Sequence, residues 1–195
     1  MNSQRDIAMQ IIRASQLIEI PWKNGGGVTR EIAAASENGK IIWRLSMADV
    51  AVDGPFSDFT GLTRILTVIR GNGMDLISAQ GKISADLDRP VRFDGALRID
   101  SVLKDGPIQD LNLMFDPLCC NGEVVSITGP CRHDVDADSR LMLGVVCTKG
   151  RAGIGKNIHL HPVDSALISL GNITLKLGND ASAVLVTLTD TNHQT

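Results

Sequence analysis

The segment WKNGGGVTREI, residues 22–32, places three consecutive glycines directly before a strand-like run. Glycine tolerates backbone conformations that are closed to other residues, so Gly25, Gly26 and Gly27 predict a sharp turn that another group can approach closely. A phosphate-binding loop would end in Gly-Lys-Ser or Gly-Lys-Thr and lead into a helix, and this segment does neither. Because apolar and polar residues alternate from Val28 onward, the segment predicts a turn that opens onto a β-strand.

Strand-like runs of roughly six to nine residues recur along the whole chain, separated by turn-forming dipeptides. These dipeptides are Asn38-Gly39, Asn72-Gly73, Asp94-Gly95, Asp105-Gly106 and Asn121-Gly122. Asn-Gly and Asp-Gly pairs supply the positive φ angles that tight turns require. Helical periodicity is weak throughout, so the pattern predicts an all-β chain folded as an antiparallel sandwich or barrel.

The composition argues against several classes of function. A chain of 195 residues with 43% hydrophobic and 21% charged residues predicts a folded protein with a sizeable core. A net charge of −3 and an aromatic content of 3% offer a nucleic acid neither electrostatic attraction nor a stacking surface. No apolar run reaches the roughly 18–20 residues that span a bilayer, and no apolar leader follows Met1. We therefore expect a cytoplasmic protein without a nucleic-acid or membrane partner, whose four cysteines are buried thiols.

Three arginines lie on largely apolar faces of predicted strands. By strand alternation, Arg30 shares a face with Val28 and Ile32, Arg44 with Ser46 and Ala48, and Arg64 with Leu66 and Val68. An unpaired charge inside a barrel is very costly, so each guanidinium would need an anionic partner. Glu31 and Asp49 lie on the opposite faces of their own strands, which argues against their being that partner. A small anionic molecule held by the arginines fits this pattern. The alternative is that the arginines face solvent or pair with acids from other strands.

Four motifs occur in the order in which the HutD/Ves family has them, and the chain resembles that family through them. They are Trp22-x-Asn24-Gly25-Gly26-Gly27-x-Thr29-Arg30-Glu31-Ile32, Trp43-Arg44-Leu45-Ser46-x-Ala48-x-Val50, Gly54-Pro55-Phe56-Ser57-x-Phe59-x-Gly61-x-x-Arg64 and Asp110-x-Asn112-x-Met114. Together they cover about residues 21–115 and are far more specific than any one of them alone. Thr60 stands where the family often has proline, a difference that affects loop stiffness more than chemistry.

This resemblance implies an all-β bicupin, with two antiparallel, jelly-roll-like β-barrel lobes in one chain. The lobes would comprise residues 1–115, which hold the main pocket, and residues 116–195, with no linker between them. The resemblance also implies a link to histidine utilisation, through binding of a small acidic metabolite such as a formylated glutamate in a regulatory role. A homodimer is compatible with such a protein, and no cofactor is expected.

The arginine pattern and the family motifs together predict a binding site for a small carboxylate. Arg30, Arg44 and Arg64 would hold the anion, and Trp22 and Phe59 would form apolar walls. The supporting polar residues would be Asn24, Thr29, Ser46 and Asn112. Such a pocket is rich in hydrogen-bond donors and poor in proton-transfer groups, since no histidine precedes position 133, and this favours binding over catalysis.

A metal-dependent cupin enzyme, either an oxygenase or an isomerase, is the main alternative. His159, His161 and Asp164 approximate a cupin metal motif, and the two histidines would share one strand face. The spacing to the acid is short, aspartate replaces the usual glutamate, and no Pro-x-Gly-x-x-His follows to provide a third histidine. No metal site is therefore expected. A structural or partner-binding protein whose arginines form surface ion pairs is the third interpretation.

Overall fold

The computed structural model describes residues 8–138 and 140–191, and β-strands form most of this part of the chain. The strands are β1 (Ala8–Ile12), β2 (Glu19–Pro21), β3 (Gly27–Glu37), β4 (Lys40–Val50), β5 (Gly54–Pro55), β6 (Thr63–Arg70), β7 (Met74–Ser78), β8 (Gly81–Ala85), β9 (Val91–Asp94), β10 (Asp100–Leu103), β11 (Ile108–Phe115), β12 (Cys120–Thr128), β13 (Cys131–Asp136), β14 (Met142–Lys149), β15 (Ala152–Ile154), β16 (Ile158–Leu160), β17 (Ser165–Leu170), β18 (Asn172–Leu177) and β19 (Ser182–Asp190). Ala14–Gln16 form a 3-10 turn, and no α-helix occurs in the described residues. The all-β prediction is confirmed. Within the same residues, no helix is long and apolar enough to cross a membrane.

Residues Leu17–Asn121 form one compact unit built from two sheets of antiparallel strands. The six-stranded sheet has the order β2-β3-β4-β11-β6-β9, and the four-stranded sheet has the order β5-β10-β7-β8. Buried side chains from both sheets share one apolar cluster, to which the first sheet contributes Val50 and Leu66 and the second contributes Met74 and Leu76. The even-numbered residues of β4, β6 and β11 therefore face the second sheet, as strand alternation requires.

The second unit combines residues 8–16 with residues 122–191. Its five-stranded sheet has the order β1-β17-β14-β19-β12, and its four-stranded sheet has the order β13-β18-β15-β16. β1 belongs here because it pairs antiparallel with β17, placing Met9 opposite Ile168. The division of the chain thus differs from the expected boundary at 115/116, since the N-terminal segment joins the unit formed by the C-terminal half.

The sheets of the two units differ from closed barrels. Each of the four sheets is open, with two end strands that have one neighbour each in the described part of the chain. Of the four cysteines, Cys120 and Cys147 are buried, whereas Cys119 and Cys131 are half-buried. The structure therefore shows antiparallel sheets stacked around an apolar core in each unit.

The segment of residues 24–27, which leads into β3, has a conformation that depends on its asparagine and glycines. The Asn24 side chain accepts a hydrogen bond from the backbone N–H of Gly26 (3.0 Å), and Gly25 adopts a φ of 71°. At Gly27 the backbone passes so close to β4 that an added Cβ would lie 2.3 Å from the carbonyl oxygen of Asp49 and 3.2 Å from the Trp22 ring. The third glycine is thus required by close packing, and the first by its left-handed backbone.

Substitution of Gly27 by alanine is expected to lower the free energy of unfolding by about 2 kcal/mol, because β3 and β4 must move apart to admit the methyl group. Gly54→Ala provides the matched control, since its Cβ would meet no atom within 4 Å. Urea unfolding of both variants measures the difference. Equal stabilities for the two variants would contradict the close approach at Gly27.

Candidate ligand-binding site

Three neighbouring strands of the six-stranded sheet, β4, β11 and β6, bring side chains from distant parts of the sequence into register. On the face that looks toward the second sheet, the side chains form three rows. The rows are Arg44–Met114–Arg64, Ser46–Asn112–Leu66 and Ala48–Asp110–Val68. β3 extends the last two rows with Glu31 beside Ser46 and Thr29 beside Ala48. The sheet thus presents a polar floor at one end of an otherwise apolar face.

A cavity of about 590 Å³ lies over this floor, within the unit of residues Leu17–Asn121. Eight of the nine residues predicted to bind a ligand line it: Trp22, Asn24, Thr29, Arg44, Ser46, Phe59, Arg64 and Asn112. The segment before β3 and the loop after β5 supply its walls, including Phe56. The Trp22 indole N–H donates a 2.7 Å hydrogen bond to the Thr29 hydroxyl, which fixes the indole ring against the sheet. The volume is that of a site for a small metabolite.

Arg64 is the most deeply buried positively charged residue of the cavity wall, with 4% of its surface exposed. Its guanidinium carbon lies 4.9 Å, 5.3 Å and 5.1 Å from the ring centres of Phe56, Phe59 and Phe93, so three aromatic rings surround the charge. Burial lowers the pKa of Arg64 to about 10; the Asp110 carboxyl opposes this shift and the Arg44 guanidinium adds to it. Among the described residues, the Arg64 Nε has no hydrogen-bond partner. Arg64 is therefore a buried cation for which residues 8–138 and 140–191 provide no bonded anion.

Arg44 is half-buried and donates a 2.8 Å hydrogen bond from Nε to the Glu31 carboxylate. Arg30 lies on the opposite face of the sheet, outside the cavity, where it pairs with Asp49 (2.7 Å) and with Glu19. Arg30 therefore does not belong to the predicted anion clamp. The expectation that Glu31 and Asp49 could not neutralise these arginines was wrong. Alternation describes the two faces of one strand, whereas each ion pair joins side chains of neighbouring strands.

Asp110, which the sequence placed beside Asn112 but not in the site, lines the cavity with 2% of its surface exposed. Burial raises the pKa of Asp110 to about 7; the Arg64 guanidinium opposes the rise and the Asp49 carboxylate adds to it. The Oδ1 atoms of Asp110 and Asn112 are both buried without a hydrogen-bond partner in the described structure. The alternation of β11 gave one signal for Asp110, since a residue two positions before Asn112 shares its face. The cavity floor thus offers a buried cation and two unpaired acceptor oxygens.

The residues of the alternative metal site have other partners. Asp164 accepts hydrogen bonds from Arg13 (2.8 Å), from the backbone N–H of Ala14 (2.9 Å) and from that of His161 (3.0 Å). Arg13 also donates to the backbone carbonyl of His159. No group of three or more His, Cys, Asp or Glu side chains suited to a metal ion is found in residues 8–138 and 140–191. Asp164 instead ties the segment after β1 to its own unit.

Comparison with known proteins agrees with the motifs of the first half of the chain. The HutD family profile matches residues 14–185, and the chain belongs to this family. A 21.2 kDa protein of the hutC 3′ region in Pseudomonas putida is 38% identical over 56% of this chain and 59% of its own length. Protein Ves of Escherichia fergusonii is 32% identical over 53% of this chain and 56% of its own length. The matched segments thus span less than two thirds of these curated relatives.

Solved structures extend the similarity to nearly the whole chain. HutD from Pseudomonas fluorescens SBW25, determined in a formate condition, superposes with a TM-score of 0.82 at 28% identity, over 94% of this chain and 99% of that one. YlbA from Escherichia coli superposes with a TM-score of 0.71 at 9% identity, over 96% of this chain and 92% of that one. The second likeness shows the fold alone, which is cupin-like and all-β.

The raised pKa of Asp110 has a consequence for stability. Its folded value, about 7, exceeds the unfolded value of 3.8, so the folded state holds an extra proton between these limits. Stability therefore falls as pH rises from about 4 to about 7, and the loss is complete above the folded pKa. Asp110→Asn removes the ionisation. We expect this variant to gain on the order of 3 kcal/mol over the wild type at pH 8 and little at pH 4. Urea unfolding at both pH values measures this, and a gain independent of pH would contradict it.

Proposed function

We propose that the cavity of residues Leu17–Asn121 binds a small metabolite through a carboxylate group, with Arg64 as the central contact. The observation that carries the proposal is that Arg64 is buried against the cavity and has no bonded anion among the described residues. A buried charge without a counterion is costly, and an anionic ligand would supply the missing partner. The guanidinium also matches a carboxylate in shape, because two parallel N–H groups can donate to its two oxygens.

The charges around the cavity favour an anion over a cation. Its lining includes the positive side chains of Lys23, Arg44 and Arg64, whereas Asp110 is its one lining carboxyl group among the described residues. Glu31 offsets Arg44 through their hydrogen bond, so the uncompensated positive charge is centred on Arg64. The aromatic walls exclude water from this charge and thereby strengthen its attraction for a bound carboxylate.

The chemistry of the lining favours binding over catalysis. Ser46 is the buried hydroxyl of the floor, yet no histidine occurs before position 133 to activate it. The donors and acceptors that surround the cavity are suited to holding a ligand in one orientation. We therefore infer a binding protein without a cofactor rather than an enzyme.

The family relationship guides the choice of ligand and context. One relative lies in the hutC 3′ region of its genome, and HutD from Pseudomonas fluorescens was crystallised in a formate condition. We propose a formylated glutamate as the ligand and a regulatory role in histidine utilisation.

We further propose that the two units are the two lobes of a bicupin, since each stacks two antiparallel sheets around an apolar cluster. The same proposal includes a cytoplasmic location, compatibility with a homodimer, and no nucleic-acid or membrane partner.

A thermal-shift experiment with N-formylglutamate, glutamate, glutarate and formate tests the binding of carboxylates. A saturating ligand should raise the melting temperature of the wild type by about 5 °C, since ligand at a hundred times its Kd adds about 2.7 kcal/mol. Arg64→Met and Arg44→Ala should abolish the shift, each judged against its own ligand-free melting temperature. Met fills much of the volume of the arginine stem and leaves no buried charge.

Arg30→Gln is the matched control because it removes an arginine from the same sheet on the face away from the cavity. This variant should keep the full ligand-induced shift even where its own melting temperature is lower. The proposal fails if no acidic metabolite shifts the wild type. It also fails if Arg64→Met responds as the wild type does.

A further inference from the structure

Asp110 stands out among the residues of the cavity floor because its environment opposes its charge. The carboxyl group is 2% exposed, lines the cavity, and has an Oδ1 atom without a hydrogen-bond partner in the described part of the chain. On β11 it lies between Ala48 of β4 and Val68 of β6, two residues that offer it no hydrogen bond from their side chains. An ionised carboxylate would need bonded donors at such a place, whereas a neutral carboxylic acid needs only an acceptor for its O–H group.

The charged groups around Asp110 come from three strands and one turn. Arg64 on β6 favours its ionised form, and Asp49 on β4 opposes it. Arg44 on β4 is paired with Glu31 on β3, and Lys23 lies in the exposed turn before β3. The elements packed over the floor from the second sheet contribute apolar residues such as Met74 and Leu76. Arg64 is thus the principal group that an ionised Asp110 would attract.

A bound anion changes this balance. If Asp110 were ionised, its charge would compete with the ligand for Arg64 and would repel the ligand's carboxylate across a cavity of low polarity. If Asp110 is protonated, its O–H can donate to the ligand, and Arg64 remains free to pair with it. A neutral carboxylic acid that donates to an anionic oxygen is an established way for a buried aspartate to act.

We propose that Asp110 is a specificity-determining residue of the anion site, which in its neutral form donates a hydrogen bond to the bound carboxylate, so that ligand binding takes up one proton. This inference rests on the proposed function, because it needs an anion at Arg64. It predicts that the affinity of the pocket for carboxylates falls as the pH rises through neutrality. The carboxylate of the ligand stays ionised over this pH range, so the ligand's own titration does not cause the change. Burial and the Asp49 charge, which raise the pKa of Asp110 to about 7, place this change near neutral pH.

Isothermal titration calorimetry with N-formylglutamate and with formate tests the proposal, because both probes are fully ionised above about pH 5.5. For the wild type we expect the affinity to fall roughly 30-fold between about pH 5.5 and about pH 8.5. Titration at about pH 8 in Tris and in triethanolamine, cationic buffers with different heats of ionisation, should show an uptake of about 0.9 proton per ligand bound. A purely structural role for Asp110 would give no such uptake.

Two substitutions separate the charge of Asp110 from its hydrogen bond. Asp110→Asn is neutral and keeps a donor, so it should bind with the wild-type affinity of low pH at every pH and take up no proton. Asp110→Ala is neutral without a donor, so it should bind roughly tenfold more weakly than the wild type at about pH 5.5, also without pH dependence. Glu37→Gln removes an exposed carboxylate outside the cavity and should retain the pH profile of the wild type.

The outcomes distinguish this inference from the proposed function. If both probes bind the wild type with an affinity that does not depend on pH, or if Asp110→Asn keeps the wild-type pH profile, the role of Asp110 is overturned and carboxylate binding stands. If neither probe binds the wild type at any pH, both proposals fall. Carbon-13 NMR of labelled aspartate carboxyl groups provides an independent reading: the resonance missing from Asp110→Asn should titrate near pH 7 without ligand and at higher pH with it.

Discussion

The guanidinium group of Arg64 lies among three phenylalanine rings and is almost wholly removed from water. The rings of Phe56, Phe59 and Phe93 can stabilise the positive charge through their π faces, but they accept no conventional hydrogen bond from the N–H groups at the guanidinium edge. Those N–H groups must find acceptors elsewhere or remain unsatisfied at a cost in stability. An anion bound in the proposed site would supply the acceptors that these N–H groups lack.

The same sheet face supplies both this site and the core that supports it. Along β4 the side chains on this face change from Arg44 and Ser46 to Ala48 and Val50, that is, from charged to apolar within seven residues. The apolar end packs against the second sheet and holds the polar end in place. In the other unit, Leu143 and Val145 of β14 belong to one extended buried apolar cluster.

Strand alternation predicted much of the cavity lining, since each of β4, β6 and β11 keeps its arginine, serine or asparagine on one face. It failed where the outcome depended on pairing between strands. Arg30 is paired with Asp49 because β3 and β4 are neighbours whose side chains match in register, and a single strand carries no information about its neighbour's register. The raised pKa of Asp110 could not be predicted for a related reason: it arises from burial, which is opposed by Arg64, a residue 46 positions away in the chain.

The turn dipeptides likewise predicted where the chain turns, but they did not predict which strands pair with each other. Asn38-Gly39 forms the hairpin between β3 and β4, with both residues at positive φ. At Asn72-Gly73 the glycine also has a positive φ, yet β6 and β7 belong to different sheets. A two-residue turn can reverse the chain within one sheet or carry it to the next. Which of the two occurs depends on how the strand after the turn is buried, and that burial is determined by the packing of the whole unit.

The pairing of β1 with β17 bears on how the chain acquires its structure during synthesis. Residues Leu17–Asn121 are contiguous, so this unit can fold as soon as its last strands leave the ribosome. The other unit cannot be completed until residues 165–170 are made, because β1 has no partner before then. During that interval β1 is an unpaired strand with apolar residues such as Ile11, the kind of segment that associates with other chains. β1, the first strand of the described residues, is thus paired only after most of the chain has been made.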